Sequence, residues 1–366
     1  MNIILKALLA VFILTGCTQT QYSIQKYDKT KNGSSQSYVV NQQQSTIEEN
    51  KLFTNEKIEN STLAILFPSH TIGKYALEAT NSINTYLINK NKPFKLNVYD
   101  IIVQNKKNIV NVIEKIKEDN ITRVIAMITK EDLHYFKDIS GISNIKFYFP
   151  LINKDNIENR NALSHLDLTF GSISYKDQFE KLIEYSNGKQ LSELYGNSGI
   201  GRTLHQYLVG KKINYSKKID DNNGQYKFFL ENNSRLENSV VLLNTPIVKS
   251  SILLSAINGQ ELMVSKILST QLNFTPLLFS LTQERDRNKL VIANSIGNIP
   301  NDLEEYNNLI GNNLSYSWVN YSTIVGVEYL LNNNIDMFKD LSIKENQVVY
   351  PVKLYSVEKH SFKLIK

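Results

Sequence analysis

A single cysteine, Cys17, occurs in 366 residues. A disulfide framework within the chain is therefore excluded, and the folded part must be held by its core even in an oxidising compartment. Apolar runs are short. Ala7 to Leu14 carries no polar side chain, but a membrane-spanning helix needs about 20 such residues, and no other segment is long and apolar enough. Lys and Arg (41) outnumber Asp and Glu (35), giving a net charge of +6. Yet no block of five or six like charges occurs, and aromatics are not interleaved with arginines, so nucleic acid is not an expected partner. What remains of the basic excess is a mild attraction to anionic polymers or lipid surfaces.

Catalytic signatures are missing as well. His70, His134, His165, His205 and His360 show no metal-ligand spacing. Neither a His-Glu-x-x-His helix nor a Gly-x-Ser-x-Gly elbow is found. Gly196 and Gly201-Arg202-Thr203 have phosphate-loop spacing, but Arg stands where that loop requires Lys; the segment reads as a glycine turn opening a helix. Glu304-Glu305 and Asp220-Asp221 read as solvated pairs in polar loops. No catalytic set, metal or cofactor is expected, and the chain is read as a non-enzyme.

The first residues carry the most specific signal. Lys6, then the apolar run Ala7–Leu14, then Leu14-Thr15-Gly16-Cys17 match the charged start and the apolar core, typically about 7–15 residues, of a secretory signal, here ending in a lipobox. Residues 1–16 are expected to be removed and Cys17 to be lipidated. Several acyl chains on one residue anchor stably where a single chain holds marginally. Thr18, rather than Asp, follows the cysteine. That sorts a lipoprotein to the outer membrane, facing the periplasm, or to the outer face of the cytoplasmic membrane in a cell with one membrane. Residues 17–61 are rich in Gln, Asn, Ser, Thr and Lys and lack the apolar surface to offset ordering. They read as a flexible tether with a root-mean-square reach of roughly 35–40 Å.

From Thr62 the pattern alternates. Leu63-Ala64-Ile65-Leu66-Phe67 is an apolar run of the buried parallel-strand type. Ile72, Ala76, Ala79, Ile83 and Leu87 follow at helical spacing. Strands are expected at Phe94–Ile101, Arg123–Ile128 and Ile145–Leu151, with a helix through Ile109–Ile116 and a capping-box start at Thr129–Asp132. A second set follows: strands at Leu168–Ile173, Leu191–Tyr195, Ile213–Ile219, Val240–Leu243, Pro276–Leu281 and Leu290–Ala293. Its helices start at Ser174, after Gly196–Arg202, and at Thr245-Pro246. Tyr316–Leu331 reads as a helix with Trp318, Val325 and Tyr329 inward, and Val348–Lys366 as two strands around Glu358-Lys359. This order implies an α/β fold of mainly parallel sheets flanked by helices.

The segments LAILFPSHTIGKYALEATNSINTYL, KLNVYDI, RVIAMITKEDL, IKFYFPLIN and YGNSGIGRTLHQYLV resemble the type I periplasmic-binding-protein fold. With an anchor and a long tether, the chain is similar to the penicillin-binding protein activator (LpoA) family, whose C-terminal half has this fold, and to lipid-anchored amino-acid receptors of ABC importers. It lacks the separate N-terminal helical-repeat domain of the activators. The resemblance implies a two-lobed domain over 62–366: lobe 1 about 62–167 plus 287–331, lobe 2 about 168–286 plus 332–366. Ligands of open α/β sheets sit beyond the carboxyl ends of strands, which places Ser69, His70, Thr129, Lys130, Asn244, Thr245 and Ser280 as candidate cleft residues. Amides at the helix starts beside Thr71 and Lys130 are positioned for a carboxylate, while Thr129 and Thr245 are also explained as helix caps. Two functions follow: an anchored interaction module that regulates an envelope machine, with a penicillin-binding protein or another envelope protein as partner, or a receptor for an amino acid or similar small ligand.

Overall fold

The computed structural model describes residues 62–158, 160–220, 226–231 and 233–366, all within one unit of the chain, Ser37–Lys366. The expected leader, Cys17 and the tether lie outside the described residues.

Leu63 to Leu66 are apolar without alternation because both faces of their strand are covered. β1 (Thr62–Phe67) sends Leu63 and Ile65 into one core and Ala64 and Leu66 into another. Each such buried Leu or Ile contributes about 1.5–3 kcal/mol. β2 (Lys95–Asp100), β3 (Arg123–Ala126), β4 (Lys146–Phe149) and β5 (Asp167–Phe170) join it in parallel, in the order β2-β1-β3-β4-β5. α1 (Ser69–Asn89) buries Ala76, Ala79, Ile83 and Leu87 against one face. α2 (Lys106–Glu118) buries Ile109, Ile113 and Ile116 against the other.

The second half repeats the plan. α3 (Tyr175–Tyr185) starts where expected, with Ser174 Oγ accepting the Asp177 amide at 3.1 Å. β6 (Leu191–Gly196), β7 (Ile213–Ile219), β8 (Val240–Asn244), β9 (Lys266–Ser269) and β10 (Leu290–Asn294) are parallel in the order β7-β6-β8-β9-β10. In β8, Val241 and Leu243 face one core, and Val240 and Leu242 the other. α4 (Gly199–Gln206) and α5 (Ile247–Gly259) cover the sheet. The chain then returns to the first lobe as α6 (Asn301–Leu309) and α7 (Trp318–Asn332), which pack on α1. α7 buries Val325 fully, while Trp318 and Tyr329 are half-buried against the same core.

Four hairpin strands complete the two sheets. β11 (Ser342–Lys344) and β12 (Gln347–Val349) pair around Glu345 and Asn346, whose φ values of 46° and 64° make the doubly left-handed turn that suits a two-residue hairpin. β12 adds in parallel to β5, giving the first sheet seven strands. β13 (Lys353–Val357) adds antiparallel to β10, and β14 (Phe362–Leu364) pairs with β13, giving the second sheet seven as well. The fold is therefore two-lobed α/β, each lobe a mainly parallel sheet flanked by helices.

Several boundaries differ from the sequence reading. β5 pairs in the first sheet and β10 in the second, so the range 168–286 expected for the second lobe takes in β5, a strand of the first sheet, and leaves out β10. Val348, read with the C-terminal strands, belongs to the first sheet. Pro276–Leu281 is not a strand: Pro276 has φ −58° and ψ −24° and leads the helix Leu277–Leu281, because proline's fixed φ suits a helix start. The strand here is β9, whose four residues are too short to show a period. Glu304 and Glu305 sit in α6 rather than a loop.

The chain crosses between lobes after β5, after β10 and between β12 and β13. At the first crossing Gly171 has no room for a side chain, since a Cβ there would lie 2.0 Å from Tyr148 Oη. Its carbonyl accepts Ser322 Oγ at 2.7 Å and Tyr350 Oη at 2.6 Å. Two of the three crossings are thereby tied to the first lobe.

Candidate functional site

In both sheets the strand order reverses direction beside the first strand, so the ligand crevice of such folds opens beyond β1 and β3 in the first lobe and beyond β6 and β8 in the second. The structure brings Ser69-His70 and Thr129-Lys130 to neighbouring strand ends, because β1 and β3 pair. Asn244 and Thr245 end β8 in the other lobe. Ser280 is not among them; it lies exposed on the helix Leu277–Leu281.

The first lobe's helix starts are occupied by the protein's own groups. Asp100, ending β2, accepts the Ser69 amide at 3.0 Å and the Ile102 amide at 2.7 Å. Its carboxylate thus sits at the N-terminus of α1, where the helix dipole favours negative charge. The loop that places it is strained: Ile102 has φ +64°, a left-handed conformation that costs a β-branched residue about 1–2 kcal/mol. The Ile102 carbonyl accepts the His70 amide at 3.1 Å. At the other start, Asp132 is buried and receives Gln104 Nε2 and, at 3.1 Å, the Thr129 hydroxyl. Burial raises the Asp132 carboxyl above its usual range, against the lowering effect of the Thr129 bond. Thr129 makes no bond to a helix amide, so it orients a carboxylate instead of capping. Among the first-lobe candidates, His70 and Lys130 are exposed.

The second lobe's candidates are internal. Asn244 and Thr245 are fully buried. Asn244 Nδ2 donates to Glu193 Oε1 at 2.9 Å. Thr245 pairs its hydroxyl with Ser250 Oγ at 2.7 Å, and Pro246, not Thr245, precedes the helix as its cap. Glu193, in the middle of β6, also accepts Ser216 Oγ at 2.9 Å and contacts His205 Nδ1 at 2.7 Å. His205 stacks on Tyr195 with centroids 4.0 Å apart. Carboxylate, histidine and serine are all present, but the serine donates to the carboxylate and not to the ring, so nothing activates its oxygen as a nucleophile. Asn244 Oδ1 and Thr270 Oγ1 are buried without a protein partner, two positions beyond the Leu242–Leu268 pair of β8 and β9.

The glycine turn after β6 is structural. A Cβ on Gly201 would lie 2.4 Å from the Gly196 carbonyl oxygen. Ser198 Oγ accepts the Gly201 amide at 3.2 Å, and Arg202 Nη1 donates to Asn197 O at 2.6 Å. Arg202 closes its own turn.

Contacts bridge the lobes on more than one side. Tyr207 Oη donates to Asn156 Oδ1 at 3.0 Å. Tyr316, just before α7, has its ring 5.5 Å from Phe274 and 6.1 Å from Phe362. Tyr175 packs on cores of both lobes, and burial raises its hydroxyl pKa. Near the crossings, Gln178, Gln271 and Ser295 form a buried amide network: Gln178 Nε2 donates to Ser295 Oγ at 2.8 Å, and the Gln271 amide to Gln178 Oε1 at 2.9 Å. Sequence reading took Asp132 as the end of a capping box and missed Asp100, Glu193, Gln178 and Gln271. Of the missed residues Glu193 left a signal, a charge inside an otherwise strand-like run.

No protein-family model matches the chain, and no curated protein matches it. Solved structures do. A branched-chain amino acid ABC transporter protein from Rhodospirillum rubrum superposes with a TM-score of 0.63 at 10% identity, over 83% of this chain and 99% of that one. The C-domain of LpoA from Haemophilus influenzae, described as a regulator of PBP1A, gives 0.54 at 13% identity over 84% and 100%. A longer LpoA structure from the same organism gives 0.57 at 11% identity, over 87% of this chain but 60% of that one. The fold shared with these proteins is the two-lobed, type I periplasmic-binding-like fold. Among the described residues no helix is long and apolar enough to cross a membrane.

Proposed function

We propose that this chain is a non-catalytic envelope lipoprotein, held on the outer membrane by lipid on Cys17, whose two-lobed domain acts as a protein-interaction module on an envelope machine such as a peptidoglycan synthase. The observation that carries this reading is the occupancy of the helix starts in the first lobe. Asp100 caps α1 and Asp132 is buried at the second start. An amino acid's carboxylate would meet negative charge at both. The interlobe contacts of Tyr207 and Tyr316 also favour a fixed pair of lobes over a clamshell that opens for each solute. Because the fold is shared with both importer receptors and LpoA, it favours neither partner, and the expected tether and these occupied positions are what support an envelope protein.

The test is crosslinking in intact cells followed by capture of the lipidated protein. Recovery of a penicillin-binding protein supports the reading; recovery of importer subunits overturns it. The second reading, a small-ligand receptor, is favoured by the unpartnered Asn244 Oδ1 and Thr270 Oγ1. A rise in melting temperature with any of a panel of amino acids would establish it.

A further inference from the structure

Parallel strands begin on one edge of a sheet, and in the second lobe that edge is basic. Lys189 precedes β6, Lys211 and Lys212 precede β7, Lys266 begins β9 and Lys289 precedes β10. This is the pole of the lobe opposite the crevice. Among the described residues none of these lysines is paired with a carboxylate. Lys189 Nζ donates to Ser265 Oγ at 2.6 Å, and Lys289 Nζ to Val264 O at 2.9 Å. Lys266 lies 3.8 Å from the centre of the Tyr185 ring. Lys211 and Lys212 are exposed. Glu237 and Glu261 stand in loops on the same edge, but neither lines the cavity found there.

That cavity measures about 710 Å³ and includes Lys189, Lys211, Lys212, Gln190 and Asn214 in its lining, with no acidic side chain. A register slip lies beside it. Leu191 pairs with Ile213 but Ser192 pairs with Tyr215, leaving Asn214 as the extra residue of a bulge at the start of β7. Gly188, at φ +73° with open space around it, turns the chain into β6 along the rim. The volume falls in the range of small-molecule sites, about 300–1,000 Å³. Gln190 and the Oδ1 of Asn214, whose Nδ2 donates to the Arg235 carbonyl at 3.1 Å, are the amide groups of a lining that also includes Ile183, Leu191 and Ile213.

We propose that this cavity binds a phosphate ester bearing a hydroxyl-rich group, with Lys189, Lys211 and Lys212 holding the phosphate and Gln190 and Asn214 the hydroxyls. Three cations without a competing carboxylate select a multiply charged anion, and the volume exceeds that of a bare phosphate. The site is separate from the crevice and does not depend on the partner proposed above. Two sources carry this chemistry: a soluble or polymeric sugar phosphate, and a phospholipid headgroup.

The test uses the full chain in nonionic detergent, titrated calorimetrically with glucose 6-phosphate, glucose and inorganic phosphate. A second, detergent-free arm is co-sedimentation with phosphatidylglycerol or phosphatidylcholine vesicles, in which every chain carries Cys17→Ser so that no acyl anchor holds it to the vesicles. The comparison variants are Lys211→Glu/Lys212→Glu and a distant exposed pair, Lys74→Glu/Lys339→Glu. Saturable binding of glucose 6-phosphate, tighter than that of phosphate or glucose and weakened at least about tenfold in the first variant only, supports the proposal and a soluble source. Binding only to phosphatidylglycerol vesicles, lost in the first variant only, supports it with a lipid source. Absence of saturable binding in both arms overturns it, as does equal loss in the two variants, which would mean bulk charge and not a site.

Discussion

Replacing Glu193 by Gln probes whether the buried network holds the crevice side of the second lobe. The side chain is 1% exposed and receives Asn244 Nδ2, Ser216 Oγ and His205 around a single carboxylate. Glutamine keeps the shape but offers one acceptor oxygen, and its amide then faces a donor. Hydrogen bonds to a charged group contribute about 1.5–3 kcal/mol each, and a buried donor left unmade costs about 1–3 kcal/mol. A loss of about 2–3 kcal/mol is expected for Glu193→Gln. At about 2.1 cal/mol/K per residue, a unit of about 300 residues moves its melting temperature by about 1.6 °C per kcal/mol, so the variant is expected to melt roughly 3–5 °C below the parent. The assay is calorimetric unfolding of the parent, Glu193→Gln, His205→Ala and the double variant. Residues sharing one network couple by about 0.5–3 kcal/mol, so the double variant is expected to lose less than the sum of the two. A Gln variant that melts within about a degree of the parent, or strictly additive losses, would refute the assignment of Glu193 as the organising acceptor.

Other outcomes follow from the same geometry. Ile102→Asn relieves a left-handed β-branched residue and is expected to raise the urea midpoint by the equivalent of about 1 kcal/mol; a lowered midpoint would mean that Ile102 makes packing worth more than its strain. Asp132 has its carboxyl raised by burial, so its stabilising contribution is present below the unfolded pKa and lost as pH rises through the folded one. Asp132→Asn should therefore raise the melting temperature near neutral pH and change little in acid, and a larger gain in acid contradicts the burial argument. Asp302 has the opposite sign: the Asn89 bond lowers its pKa, so its contribution is lost as pH falls, and Asn89→Ala should flatten that acid limb of the melting curve. Cys17→Ser should release the cleaved protein from membranes, and retention of a processed Ser variant would sink the lipid anchor.

The parallel-sheet plan was legible because burial on both faces demands continuous apolar runs. Leu63–Leu66 and Val240–Leu243 are unmistakable for that reason, and the helix period of Ala76, Ala79, Ile83 and Leu87 marks one covering face. The candidate crevice was legible only as strand ends. Thr129 and Thr245 look like caps in sequence, yet each hydroxyl turns to a side chain a few residues ahead instead of a helix amide: Asp132 accepts from Thr129, and Ser250 pairs with Thr245. Asp100 gave no sign, since a carboxylate 31 residues from the amide it caps has no local pattern. Pro276 misled because proline next to apolar residues serves an edge strand and a helix start equally well.

Local chemistry alone, then, decided the elements and their alternation: apolar runs make buried strands, spacing makes amphipathic helices, and a lone cysteine after a short apolar run marks an expected anchor. Only tertiary structure decided which sheet each late strand joins, because β5, β10 and β12 have sequences that suit either lobe and partners chosen by pairing. It also decided the electrostatics of the crevice and of the basic pole, since charges distant in sequence meet, or remain apart, only once the two sheets have formed.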